Sequence, residues 1–318
     1  MNEPAIESNF IAPARTLNGS FGRERSPNIL GRAFGILELF SLDQMTIRIE
    51  DLVERLGFAR STAYRYIGEL CDAGLLSPVI GGAYMLGPRI IELERLLELS
   101  DPLHIAASRT LPLLARDDEV LLVKSLFRDK VICIHKIGPE TIEYGGRQHP
   151  VHCERGQPIS MFGGAGSLVL LAALSPARAR DVYRRHSDEI GERGLGGSWE
   201  AFRARLQMIR RKGHAVGRRR EAPMLASIAV PVRLLAERRV VGSLVDVFAS
   251  ERLDPSIQRE RIERLQAGAA RIADEFVNQG ADRRPAPSAT NSGPVRLEMQ
   301  AGFGAADALD QPDPLEHA

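Results

Sequence analysis

Ser61, Thr62, Arg65 and Glu69 are the side chains whose types and spacing best suit a chemistry, and that chemistry is recognition. They share one side of a helical segment whose other side carries Ala63, Ile67 and Leu70 at i, i+4 and i+7. Hydroxyl and guanidinium donors near a helix start can bond phosphate oxygens and base edges. Other constellations point less far. His149, His152 and Cys153 could ligate a metal, but this spacing without a second cluster fits histidines in a surface turn better. A redox role for Cys153 would need a depressed thiol pKa, for which Arg155 is the neighbouring cation. The small residues 163–167 have neither the lysine of a phosphate-cradling loop nor the order of a nucleophile elbow. They suit backbone approach to a ligand, or a closely packed helix. Arg203, Arg205, Arg210, Arg211, Lys212, Arg218, Arg219 and Arg220 suit a solvated helix face and loop, with DNA or an anionic ligand as a secondary role. No Ser/His/Asp order, paired-carboxylate motif or metal signature stands at recognisable spacing. No catalytic residue, metal or cofactor is therefore expected.

The recognition residues need elements to hold them. Ile49, Leu52, Val53 and Leu56 form one apolar helix face, and Gly57 can leave that helix with positive φ. A second helix restarts at Ser61, an N-cap residue type. Two helices joined by a short glycine-containing turn make a helix-turn-helix, whose second helix enters the DNA major groove; the alternative is an ordinary helical hairpin with a solvated face. Residues 75–80 and 83–86 are apolar runs flanking Gly81-Gly82, which reads as a two-residue hairpin with Pro78 on its edge. With an inward stripe of Leu30, Ala33, Phe34 and Leu37 ahead of the pair, the segment becomes a winged helix-turn-helix. Over residues 23–77, seven arginines (23, 25, 32, 48, 55, 60, 65) meet eight acids (24, 38, 43, 50, 51, 54, 69, 72). Affinity for DNA would rest on a few placed arginines and on dimeric binding.

A chain of 318 residues with net charge +1 accommodates two cores. It has no run of 18 apolar residues and no basic start leading into a hydrophobic stretch, so neither membrane spanning nor export is expected. Cys71, Cys133 and Cys153 suit free thiols in a reducing cytoplasm. The expected organisation is a disordered tail over 1–25, the winged module over 26–87, a linker and dimerisation helix over 88–102, an effector domain over 103–278 and a second disordered tail over 279–318. Residues 88–99 carry Ile90, Leu93, Leu96 and Leu97 as one stripe, which a second copy would cover economically. The effector domain is mixed α/β: strands at 119–127, 130–137, 227–235 and 240–248, with helices at 166–174, 199–212 and 256–277.

Four segments in this order resemble the IclR family of bacterial transcriptional regulators. They are Gly31-Arg32-Ala33-Phe34-Gly35-Ile36-Leu37; Arg60-Ser61-Thr62-Ala63-Tyr64-Arg65; Tyr84-Met85-Leu86-Gly87-Pro88; and the effector-domain runs around 163–172, 209–221 and 227–232. The resemblance implies a winged helix-turn-helix, a dimerising linker and a GAF-like domain that binds a small molecule such as an organic or aromatic acid. It also implies a homodimer or homotetramer on a palindromic operator in double-stranded DNA, repressing or activating catabolic genes. By the same resemblance Arg32, Arg60, Ser61, Thr62, Tyr64 and Arg65 contact DNA. Gly164, Ala165, Gly166, Ser167, Glu221, Ser227, Ser243 and Asp246 line the effector pocket.

Two departures stand out. Ser167-Leu168 replaces the family's Gly-Lys pair, and 243–247 (Ser-Leu-Val-Asp-Val) lacks the usual alternating serines. Both point to a larger or less charged effector. The alternative is a DNA-binding protein whose second domain serves assembly alone.

Overall fold

The computed structural model describes residues 29–219 and 222–282. The first core is small. Helix α1 (Ile29–Leu37) is followed by a short strand β1 (Ile47–Arg48), α2 (Ile49–Leu56), α3 (Arg60–Asp72) and the wing strands β2 (Leu76–Val79) and β3 (Ala83–Leu86). The three strands pair antiparallel in the order β1-β3-β2. Leu52, Ala63, Ile67 and Leu70 bury as their periodicity requires, together with Tyr66, whose ring packs 5.7 Å from that of Phe58. Gly57 ends α2 at φ 67°, the left-handed conformation that a side chain would strain.

Three local expectations change. Leu30 and Phe34 face outward, and the buried residue of α1 is Ile36, with Ala33 and Leu37 half-buried beside it. Helix α1 is apolar on more than one side, and its last turn is the part that reaches the core. Helix α3 begins a residue early: Ala59 is its N-cap, and the Ala63 amide donates to the Ala59 carbonyl at 2.9 Å. Ser61 therefore lies inside the first turn, and its hydroxyl has no capping duty. The wing turn holds three residues, Ile80, Gly81 and Gly82, because Val79 pairs with Ala83; Gly81 and Gly82 sit at φ 88° and 73°.

Helix α4 (Pro88–Ser100) leaves the wing at Gly87, whose amide donates to the Leu75 carbonyl at 2.8 Å. A Cβ on Gly87 would lie 2.2 Å from the Gly74 carbonyl oxygen, so glycine is required by proximity there. None of the residues of α4 is buried. Helix α5 (Pro102–Thr110) follows at once, capped by the buried Asp101 carboxylate, which accepts from the Leu103 amide at 2.9 Å.

The second module is one antiparallel sheet covered on both faces. Its strands are β4 (Glu119–Phe127), β5 (Lys130–Ile137), β8 (Pro158–Ser160), β9 (Ala215–Arg219), β10 (Ala222–Leu234) and β11 (Arg239–Ala249), ordered β8-β5-β4-β11-β10-β9. A separate hairpin, β6 (Thr141–Tyr144) and β7 (Arg147–Pro150), leads into the 150–157 loop. Helices α6 (Gly164–Ala172), α7 (Pro176–Glu192) and α8 (Trp199–Lys212) share one core with the sheet; α5 and α9 (Pro255–Asp282) share another. Helix α7 escapes sequence reading because it is arginine-rich, with Ala179, Val182 and Ile190 as its buried residues. Its Ser175 cap and Pro176 at the first helical position were the available signal. Residues 163–167 are not a loop: Gly163 is the N-cap and the rest form the first turn of α6. Helix α9 continues past 278 into the segment expected as tail. Residues 26–28 and the expected tails outside 29–282 lie beyond the described residues.

Under α9 sits a buried ionic cluster. Arg261 Nη1 donates to Glu119 Oε2 at 2.5 Å and to Asp246 Oδ2 at 2.7 Å, and Arg264 Nη2 reaches the same two carboxylates at 2.6 and 3.0 Å. The Arg261 guanidinium also lies 4.2 Å from the Phe248 ring centroid. Burial and the adjacent Glu119 carboxylate push the Asp246 carboxyl up to about 6, against the pull of the two guanidiniums. Removing one cation from such a set leaves a carboxylate buried and uncompensated. Arg261→Ala is therefore expected to destabilise the protein by about 3–5 kcal/mol in urea unfolding; a loss below about 1 kcal/mol would show that α9 is held by apolar packing alone.

Candidate nucleic-acid interface and small-molecule cavity

The outer face of α3 is assembled from residues that cannot turn inward while Ala63, Tyr66, Ile67 and Leu70 fill the core. Arg60, Ser61, Tyr64 and Arg65 are exposed and Thr62 is half-exposed. The Arg65 guanidinium lies 5.4 Å from the Tyr66 ring centroid, and that of Arg32 5.9 Å from Phe58, so aromatic faces steady both cations at the surface. Arg60 Nη2 donates to Glu50 Oε1 at 2.5 Å on α2. The structure thus brings Arg60, Ser61, Thr62, Tyr64 and Arg65 onto one helix, with Arg32 reaching the same core from α1.

A cavity of about 140 Å³ opens in the second module between the α6 N-terminus, the sheet and the 150–157 loop. Gly164, Ala165, Gly166 and Ser227 line it, together with Leu122, Lys124, Val151, His152, Cys153, Val245 and Val247. Gly166 lets α6 press onto the sheet: a Cβ there would stand 2.6 Å from Val245 Cγ2 and 3.3 Å from Ser243 Oγ. Ser243 lies behind the cavity wall, fully buried, and its hydroxyl has no hydrogen-bond partner among the described residues. Two expected pocket residues point elsewhere. Ser167 Oγ donates to the Ser160 carbonyl at 3.0 Å. Asp246 is one residue out of phase with Val245 and Val247, so it faces α9 and the ionic cluster. Glu221, like Arg220, lies outside the described residues. A larger groove of about 760 Å³ runs between β10 and α9, lined by aliphatic residues with Arg210, Arg233, Gln266 and Asp274 among them. The smaller cavity is the one that gathers the expected effector residues Gly164, Ala165, Gly166 and Ser227.

The loop that walls this cavity also grips the linker. Arg155, two residues from Cys153, donates through Nε to Glu94 Oε1 on α4 at 2.8 Å. Its Nη1 reaches the Ile134 carbonyl at 2.7 Å and His104 Nδ1 at 2.8 Å. His104 Nδ1 also lies 3.2 Å from the Ile134 carbonyl oxygen, and its Nε2 lies 3.9 Å from Glu98 Oε1. His135, stacked edge-on to His104 at 5.0 Å, has its pKa lowered to about 4, first by burial and then by His104 and Arg155, and is a neutral ring. Cys133 Sγ lies 3.9 Å from the Cys153 carbonyl oxygen, and a hydrogen bond to the Cys153 side chain together with burial pushes the Cys133 thiol up, so it stays protonated.

The family model of the IclR helix-turn-helix domain matches residues 30–79, and that of the bacterial transcriptional regulator IclR C-terminal domain matches residues 100–274. The chain belongs to the IclR family. It is a DNA-binding transcriptional regulator and not an enzyme. No curated protein matches the sequence. Among solved structures, an IclR-type regulator from a Silicibacter species is 24% identical with a TM-score of 0.64, over 78% of this chain and 95% of that one. An IclR regulator from Alicyclobacillus acidocaldarius is 22% identical, with a TM-score of 0.60 over 78% and 98%. An IclR homologue from Microbacterium hydrocarbonoxydans, complexed with 4-hydroxybenzoate, is 21% identical, with a TM-score of 0.56 over 78% and 99%. These likenesses describe the fold.

Within this IclR regulator, sequence reasoning passed over Lys124, His104 and Arg155. Lys124 sits in a run otherwise read as plain strand, and Arg155 was weighed only as a neighbour of Cys153. No local spacing links either to a function. Charge-assisted bonds such as those of Arg155 contribute about 1.5–3 kcal/mol each when partly shielded. Arg155→Met should accelerate amide exchange across 88–104 and 150–157 by about tenfold and leave β10 and β11 unchanged. Unaltered exchange in α4 would show that this contact does not hold the linker.

Proposed function

We propose that this regulator binds a palindromic operator as a homodimer or homotetramer, and that a small organic or aromatic acid in the α6 cavity modulates that binding. The observation that carries the reading is that one loop, 150–157, both walls the cavity and holds the linker helix through Arg155 and Glu94. On this reading Ser61, Thr62, Tyr64 and Arg65 enter the major groove from α3, while Arg32 and Arg60 reach the backbone. Gly164, Ala165, Gly166 and Ser227 contact the effector, with Ser243 behind them. Occupancy resets the 150–157 loop, the loop shifts α4, and α4 sets the spacing of two recognition helices about one DNA turn apart. A coupling of about 1–3 kcal/mol is enough for such control. The relative with 4-hydroxybenzoate bound supports the class of effector, and catabolism of such an acid is the process we assign to the regulated genes.

Self-association is supported by α4 and α1. Leu93, Leu96, Leu97, Phe34 and Leu30 are all more than two-fifths exposed, a cost that an apolar partner face would remove. The pair Leu93→Glu with Leu97→Glu should shift the protein to monomer in sedimentation velocity and weaken operator binding by at least about tenfold. A variant that stays dimeric would move the interface away from α4.

Fluorescence anisotropy on DNA from upstream of the protein's own gene, with competitor DNA, tests recognition. Arg65→Ala should weaken specific binding by about 1–3 kcal/mol and relax base preference at one position per half-site. Unchanged affinity and preference would mean that another helix does the reading. If saturating organic acids leave both operator affinity and melting temperature untouched, the second domain serves assembly alone.

A further inference from the structure

We infer that Lys124 is the charge-selecting residue of the α6 cavity, so that its ligand is a monocarboxylate with a body no larger than a single ring. The inference rests on reading this cavity as the effector site. Lys124 is 8% exposed and lines the cavity, yet no carboxylate among the described residues pairs with its ammonium. The other nearly buried cations behave differently. Lys136 Nζ bonds Glu140 at 3.0 Å and Glu154 at 2.5 Å, while Arg261 and Arg264 share Glu119 and Asp246. With the side chain nearly buried and its ammonium open to the cavity, the missing counter-charge marks the place of an exogenous anion.

The surroundings repeat the signal independently. Lys124 pairs across the sheet with Ser243 on one side and Cys133 on the other. The Ser243 hydroxyl is fully buried and unpartnered. Cys133 stays a neutral thiol and supplies no counter-charge. Facing them is the first turn of α6, Gly164 to Gly166, whose amides have no partner within their own helix. Among the described residues no Asp, Glu, Arg or second Lys lines the cavity, so these offer one ammonium for one carboxylate. Leu122, Val151, Leu225, Val245 and Val247 make the remainder apolar. Its volume of about 140 Å³ is close to that of engineered cavities, roughly 150 Å³, that hold benzene. A single-ring or short-chain acid fits, and a larger or neutral effector does not. This reverses the expectation drawn from Ser167-Leu168 and from 243–247, because the charge enters from β4, a strand those comparisons leave out.

The test is isothermal titration calorimetry of the full chain with benzoate, benzamide and 2-oxobutanoate, on wild type and Lys124→Met, with melting temperatures recorded alongside. Wild type should bind benzoate at least about tenfold more tightly than benzamide, and Lys124→Met should erase that ratio by weakening the acid alone. Ligand-free Lys124→Met should melt no lower than wild type, because the substitution breaks no ion pair among the described residues. Equal binding of acid and amide by wild type, a ratio preserved in the variant, or a lower melting temperature for ligand-free Lys124→Met would each overturn the assignment while leaving the cavity as the effector site. Failure of both acids and the amide to bind wild type would overturn the effector reading, and the Lys124 assignment with it.

Discussion

The alternation of side chains along β11 is the constraint on which the rest of the second module depends. Because successive residues of a strand face opposite sides of the sheet, Ser243, Val245 and Val247 belong to the α6 face, and Leu244, Asp246 and Phe248 to the α9 face. A shift of one residue would exchange the two sets, turning the Asp246 carboxylate to the α6 face and setting a valine opposite Arg261. Register is pinned by β4 and β10 on either side and by the ionic cluster that Asp246 completes. Asp246 is thus kept out of the cavity because it is needed on the other face.

The two modules carry different kinds of surface. The winged module buries a compact apolar core and leaves an outer face of hydroxyls and guanidiniums, steadied by Tyr66 and Phe58 beneath them. The linker buries nothing of its own and is tied to each neighbour by a few directed bonds: Gly87 and Arg89 amides to the Leu75 and Gly74 carbonyls at one end, and Arg155 to Glu94 at the other. An element held this way can move as a rigid rod, since few apolar contacts have to be broken. That property suits the transmitting role proposed for α4.

Much of this fold was legible in the chain. The bounds of α2, β4, β5 and α8 follow from periodicity and from glycines at helix ends, because those segments obey one local rule throughout. The wing turn, the α3 start and the face of α1 were misjudged by one residue or one face. In each case a tertiary partner overrode a local preference: Ala63 bonds back to Ala59, Val79 pairs with Ala83, and only the last turn of α1 meets the core. Helix α7 was missed because its stripe is interrupted by arginines that the rest of the molecule tolerates at its surface.

What the sequence determined by itself was the class of protein: a helix-turn-helix with its recognition side chains on one helix, a wing, a linker and a mixed second domain. These depend on spacings of three, four and seven residues, which a reader of the chain can see. What only the tertiary structure decided was which side chains share the cavity. Lys124, Ser227, Val151 and Gly166 come from four distant segments, and Asp246 is excluded from among them by strand phase and by Arg261. Juxtaposition across a sheet is a property of register and packing, and no local spacing encodes it.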